Sequence, residues 1–217
     1  MAHVINTRCR LCLVTPSDSD VAACTRRVAE ALSGGDVASL IITADPNDPT
    51  ALQRMAEATV PVAQARGVAA LIHNDTRVAG RTAADGVHVD SGLTDLAAAI
   101  AALHPNRIVG AGGVASRHDA MLAGDVQPDY LFFGRLDGDA GKYIFDKAFD
   151  LAAWWSSVAV IPAIVMGGRS LVSVRDAADA GIDFVALSRA IWDDKRGPAR
   201  AVAEACEYLA AIAEPVT

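Results

Sequence analysis

Eight short apolar runs recur along the chain, and after nearly every one comes an Ala-rich stretch with helical spacing. The candidate strands are Arg10–Val14, Ala38–Ile42, Ala69–His73, Gly86–Val89, Arg107–Ala111, Tyr130–Phe133, Ala163–Met166 and Phe184–Leu187, each rich in Val, Ile, Leu or Phe. Val21–Leu32, Ala51–Arg66, Leu93–Leu103 and Val172–Ala180 carry the apolar periodicity of helices. Eight repeats of strand then helix predict a closed parallel (β/α)8 barrel in a single domain over residues 1–217. An open doubly wound sheet competes, but it normally carries a Gly-rich fingerprint after the first strand, and Val14-Thr15-Pro16-Ser17-Asp18 has none. The weakest unit follows Ala69–His73, where Thr76–Ala83 leaves room for barely two helical turns.

A length of 217 residues with 52% hydrophobic content suits a small α/β barrel with a full core. No Pro/Gly/Ser-rich linker divides the chain, and no segment reaches the unbroken apolar length of a membrane span. Met1–Thr7 contains a His and an Asn where a signal peptide would carry its apolar core, which predicts a cytoplasmic protein. The net charge of −7 opposes binding to nucleic acid or to an anionic membrane surface. Any anionic ligand must be held by a local site. Cys9 and Cys12 form a C-x-x-C pair, but no second Cys or His pair follows at zinc spacing, so buried free thiols are expected; Cys24 and Cys206 read as small core residues.

The chemistry is expected at the ends of the strands. The last two runs break into Gly167-Gly168 and Ser188-Arg189-Ala190, and paired turns of this kind on neighbouring parallel strands can hold a phosphate group. Gly167, Gly168, Ser188 and Arg189 are thus candidate phosphate-binding residues; the plainer reading is that the glycines end a strand and turn it. Asp75 and Asp90 close the third and fourth runs, and in a barrel both ends lie on one face, where two carboxylates can share a hard cation such as magnesium. The competing reading makes them helix caps. His73 and His88 lie at strand ends, where a satisfied hydrogen-bonding role is commoner than catalysis. Trp154 and Trp155 close an amphipathic helix on the barrel exterior, as core packing or as a subunit contact that leaves a homo-oligomer open.

Taken in order, Asn74-Asp75, Asp85-Gly86-Val87-His88, Pro128–Gly134, Gly167-Gly168 and Ala180–Ala186 with Ser188-Arg189-Ala190-Ile191 resemble the thiamine-phosphate synthase family and its tautomerase relatives. The resemblance runs from the first strand to the last helix. It implies a (β/α)8 barrel that joins hydroxymethylpyrimidine diphosphate to thiazole phosphate through a dissociative step, in which diphosphate leaves with magnesium and the thiazole nitrogen captures a pyrimidine cation. It further implies that Asn74 contacts the diphosphate, that Asp75 binds magnesium, that Lys142 neutralises diphosphate, and that Gly168 with Ser188 and Arg189 holds the thiazole phosphate.

The sequence also departs from that pattern. Where the family carries Gln-x-Arg-x-Lys after the second strand, this chain reads Leu40-Ile41-Ile42-Thr43-Ala44. The second metal-binding Asp is ambiguous between Asp90 and Asp95; Gly112-Gly113-Val114 replaces Ser-x-His; and the threonines before the lysine are missing from Gly134–Lys142. Losing charged groups from a buried diphosphate site costs about 2–5 kcal/mol each. Replacement cations near the mouth are Arg135, Lys142 and Arg189, whereas Arg77 and Arg81 read as solvated surface charges. A synthase-like transferase is the leading function. The alternatives are a non-catalytic or regulatory binder of a phosphorylated thiamine-related metabolite and another small-barrel enzyme that acts on a phosphorylated metabolite with Asp75 or Asp90 as base. The apolar second strand end predicts that a monophosphorylated ligand binds more readily than the diphosphate.

Overall fold

Along each strand the side chains alternate between two destinations, and this alternation builds the molecule. The structure is a computed structural model that describes residues 9–16, 20–48 and 50–213. Met1–Thr7 and the Ser17-Asp18 end of the first turn lie outside the described residues. Strands β1 (Arg10–Val14), β2 (Val37–Ile42), β3 (Ala69–His73), β4 (Gly86–Val89), β5 (Ile108–Val114), β6 (Tyr130–Phe133), β7 (Ala163–Met166) and β8 (Phe184–Leu187) close into a parallel barrel in sequence order. The helices are α1 (Val21–Ala31), α2 (Ala51–Gln64), α3 (Thr76–Arg81), α4 (Leu93–Leu103), α5 (Arg117–Asp125), α6 (Asp146–Val158), α7 (Val172–Asp179), α8 (Arg189–Trp192) and α9 (Pro198–Ala213). This is the predicted (β/α)8 fold. Among the described residues no helix is long and apolar enough to cross a membrane.

Outward-facing Leu11, Leu13, Leu40, Ile42, Ile72, Val87 and Leu131 pack against the helical shell in one large cluster. Inward-facing Cys12, Val14, Ile41, Leu71, Phe132, Ile164 and Met166 fill the barrel lumen in a second. The lumen is therefore a packed core, closed below and open to chemistry only at the carboxyl ends of the strands. Tyr130 spans it because Gly110 has no side chain: a Cβ there would sit 1.9 Å from the tyrosine ring.

β5 is longer than the sequence predicts. The strand runs through Gly112-Gly113 to Val114, with its register against β6 shifting between Ala111 and Val114 and Gly113 at φ 71°. A glycine pair ordinarily signals the end of a strand, but here it forms a bulge that keeps the strand going. Gly112 also needs its lack of a side chain, since a Cβ would lie 2.6 Å from His88 Nε2. Trp155 is buried and donates its indole N–H to the Ile161 carbonyl at 2.8 Å, so packing accounts for it; Trp154 stacks beneath the Arg117 guanidinium. Cys9 and Cys12 are buried free thiols, Cys24 is buried and Cys206 is half-buried. Burial pushes the Cys9 thiol up to about 12 and the Cys12 thiol up to about 11, which keeps both unreactive.

Candidate functional site

The carboxyl ends of the strands surround a cavity of about 590 Å³. Its wall follows from the alternation already described. One step beyond inward Ile41 stands Thr43, beyond Leu71 stands His73, beyond His88 stands Asp90, and beyond Ala186 stands Ser188; all four line the cavity.

Asn74, His73 and Asp90 form one connected group. Asn74 sits at φ 55°, a left-handed conformation that asparagine tolerates, and its N–H donates to the His88 carbonyl at 2.8 Å. From there its amide donates to Asp90 Oδ1 at 2.6 Å and its Oδ1 accepts the Asp90 N–H at 2.9 Å. His73 Nε2 lies 2.9 Å from the same Asp90 oxygen. The hydrogen bonds from His73 and then Asn74 hold the Asp90 carboxyl down at about 2, so it is ionised throughout the working range.

Asp75 goes elsewhere. Its Oδ1 caps α3 by accepting the N–H groups of Arg77 and Val78 at 2.9 and 2.8 Å, and it does not line the cavity that Asp90 faces. The expected pairing of Asp75 with Asp90 around one cation is thus not what the structure forms: a helix needs its first N–H groups satisfied, and Asp75 is the residue placed to do so. Among the described residues no group of three or more His, Cys, Asp or Glu side chains converges to hold a metal ion. As arranged, the residues do not fit a protein-held magnesium. Asp95 lies in the first turn of α4.

The paired turns after β7 and β8 have the expected sequence, but the Gly167, Gly168 and Arg189 N–H groups already donate within the protein. The Gly167 N–H donates to the Ala186 carbonyl at 2.8 Å within the barrel ladder, and the Gly168 N–H donates to Ser173 Oγ at 2.9 Å. The Arg189 N–H donates to Asp139 Oδ2 at 2.6 Å, with the Arg189 Nε 3.6 Å from Asp139 Oδ1. Ser188 faces the cavity, and its carbonyl accepts from Ile191 and Trp192 to start α8. Convergence of the Gly167 and Gly168 N–H groups with that of Ser188 on a common anion, expected from the sequence, gives way at the two glycines to bonds that hold the turn to its neighbours. Lys142 lies outside the cavity wall, its ammonium 5.1 Å from the centre of the Tyr143 ring.

Among the described residues three guanidinium groups do line the cavity, those of Arg27, Arg135 and Arg189. Arg135 is highly exposed and forks onto Asp137 at 2.9 and 3.0 Å. Arg77 and Arg81 are exposed and absent from the wall, as the sequence suggests. Arg27 was not singled out by the sequence: it lies on α1, reaches the mouth by donating to the Trp192 carbonyl at 2.6 Å, and stacks over the Trp192 ring. The carboxylates Asp137 and Asp139 were likewise not foreseen. Thr43 could have been found by counting alternate residues past Ile41; Arg27 and Asp139 carry no such signal, because they reach the cavity by tertiary contact.

Below the cavity floor, His88 is fully buried with Nδ1 2.9 Å from the Tyr130 hydroxyl, and its Nε2 has no hydrogen-bond partner. Burial, with the neighbouring His73 second, lowers the His88 imidazole to about 3, so it stays neutral. The expectation of a satisfied hydrogen-bonding role fits His73, whereas His88 meets it at Nδ1 and not at Nε2.

Comparison with known proteins gives this arrangement its relatives. A family model described as thiamine monophosphate synthase matches residues 11–191. The thiamine-phosphate synthase of Hyphomonas neptunium is 35% identical over 201 residues, covering 90% of this chain and 91% of that protein. The thiamine-phosphate synthase of Rhodospirillum centenum is 34% identical over 199 residues, covering 91% and 96%. The solved thiamine phosphate pyrophosphorylase of Pyrococcus furiosus shares the fold at a TM-score of 0.78 and 21% identity, over 98% of this chain and 100% of that one. The match runs unbroken from the first strand of the barrel into α8, and the chain belongs to the thiamine monophosphate synthase family.

Proposed function

We propose that the protein is a thiamine-phosphate synthase of thiamine biosynthesis, joining hydroxymethylpyrimidine diphosphate to thiazole phosphate. The observation that supports this reading is that His73 and Asp90, from the third and fourth strand ends, and Ser188-Arg189, after the eighth, face one cavity in a family whose named relatives are synthases. In the step implied, the bond from the pyrimidine methylene to the diphosphate oxygen breaks with both electrons leaving on diphosphate. The thiazole nitrogen then supplies the pair that forms the new carbon–nitrogen bond. Diphosphate is the leaving group and no proton transfer is required.

What the chain offers this step is orientation and charge. Asn74, itself exposed and outside the cavity wall, fixes Asp90 through two hydrogen bonds. The ionised Asp90 and the ring of His73 form a polar wall beside a developing cation, and Arg27, Arg135 and Arg189 are the groups that can face a departing anion. Magnesium enters this reading only as the counter-ion of the diphosphate substrate. A coupled assay with both substrates and magnesium tests the proposal: thiamine phosphate should form, and its absence at every magnesium concentration would refute the synthase reading.

A second reading, a binder of a phosphorylated small molecule without transfer activity, is favoured by one feature. Inward positions at the end of β2 are Ile41 and Thr43, which carry no charge to grip a diphosphate. Binding of thiamine phosphate without turnover would select it.

A further inference from the structure

We propose that Asp139 is a specificity-determining residue of the β7–β8 turns: a resident carboxylate that holds Arg189 in place of a ligand phosphate and so sets how readily phosphate enters. The inference rests on the reading that these turns belong to the ligand site.

Asp139 is 2% exposed, unusual for a carboxylate on a connecting loop. One oxygen takes the Arg189 backbone N–H at 2.6 Å and the other lies 3.6 Å from the Arg189 Nε. Two oxygens meeting a backbone N–H and a guanidinium is the arrangement a phosphate would make with the same residue. The rest of the segment between β6 and α6 is seated across the neighbouring turn. The Arg169 N–H donates to the Gly141 carbonyl at 2.9 Å and the Ser170 N–H to the Lys142 carbonyl at 3.0 Å. Gly168 permits this seating, because a Cβ there would lie 2.5 Å from both the Lys142 and Tyr143 carbonyl oxygens.

The segment 134–145 is therefore a strap across both turns, with Asp139 as its anchor. A phosphate and the Asp139 carboxylate cannot occupy Arg189 together, since two anions at hydrogen-bond separation repel and compete for the same donors. Phosphate enters when the strap lifts, and the segment has glycines for such a movement at Gly134, already at φ 103°, and at Gly138 and Gly141. A chain with a neutral residue at 139 would hold phosphate more tightly.

The test compares the protein with its Asp139→Asn variant, using inorganic phosphate and thiazole phosphate as probes in calorimetry at fixed ionic strength. The variant should bind both about tenfold more tightly. Equal or weaker binding by the variant, or no binding of either probe by either protein, overturns the proposal. Amide exchange on the unsubstituted protein gives a second measurement that does not depend on the variant folding. Adding phosphate should speed exchange at Arg169 and Ser170 as the strap leaves, and slower exchange there would mean phosphate joins a closed strap, which also overturns it. Synthase turnover is scored separately: an inactive protein whose variant still binds phosphate more tightly loses the proposed function and keeps this one.

Discussion

Asp75 and His88 show how one side chain's surroundings decide between a catalytic role and a structural one. Asp75 accepts two backbone N–H groups at the start of α3, so Asp75→Ala removes a helix cap and should destabilise the protein by about 1 kcal/mol whatever its part in catalysis. Asp75→Asn keeps a capping oxygen and removes only the charge. If Asp75 serves only as a cap, Asp75→Asn retains both stability and turnover, as denaturation and the synthase assay would record; a large loss of turnover at unchanged stability would instead assign its charge to the reaction. His88 makes its own prediction. Folded His88 stays neutral down to about 3 while an unfolded histidine takes a proton near 6.5, so between these values the unfolded chain binds the extra proton. Its contribution to stability is fully present above pH 6.5 and is lost as pH falls toward 3, at up to about 1.4 kcal/mol per pH unit. Denaturant unfolding between about pH 7 and pH 5 should show this slope, and His88→Leu should flatten it even though the Tyr130 hydroxyl loses its partner at every pH. An unchanged slope in the variant would mean that His88 is not the titrating group.

Among the elements, the segment between β6 and α6 is where sequence and structure part company. Helices and strands were legible because burial follows a period: all eight strands stand where their apolar runs do, and only β5 runs on, through a glycine bulge that local sequence cannot distinguish from a turn. The cavity residues carried by strand ends, His73, Asp90 and Ser188, were legible for the same reason. The partners of the β7 and β8 turns were not, because Asp139, Gly141 and Lys142 meet them from the loop after β6 by tertiary contacts that no local pattern encodes. Gly168 thus has a reading the sequence did not supply, as the residue that lets one loop lie against another. Gly168→Ala forces a methyl group against two main-chain carbonyls that cannot rotate away, and it should destabilise the protein by about 1–3 kcal/mol. Chemical denaturation measures the loss, and amide exchange should localise it to Arg169 and Ser170. A stable variant with both amides still protected would show that the loop does not rest on Gly168.

For the whole molecule, charge opposes the diphosphate substrate of the proposed reaction. Among the described residues the cavity wall sets four carboxylates, Asp90, Asp137, Asp139 and Asp193, against three guanidinium groups, Arg27, Arg135 and Arg189, and the chain as a whole carries a net charge of −7. The Arg135 and Arg189 guanidiniums meet Asp137 and Asp139. A mouth of this kind repels a diphosphate at long range, where a cationic mouth would steer it inward. Added salt screens charges beyond about 10 Å at roughly 0.1 M, so it weakens the repulsion while leaving short contacts inside the cavity largely intact. With magnesium held saturating, kcat/KM for hydroxymethylpyrimidine diphosphate should rise with moderate salt, the change appearing in KM and not in kcat. Arg135→Ala, which leaves Asp137 unpaired at the rim, should steepen that rise. A kcat/KM that falls with salt would show that the three arginines outweigh the carboxylates around them and that the cavity draws its anionic substrate in.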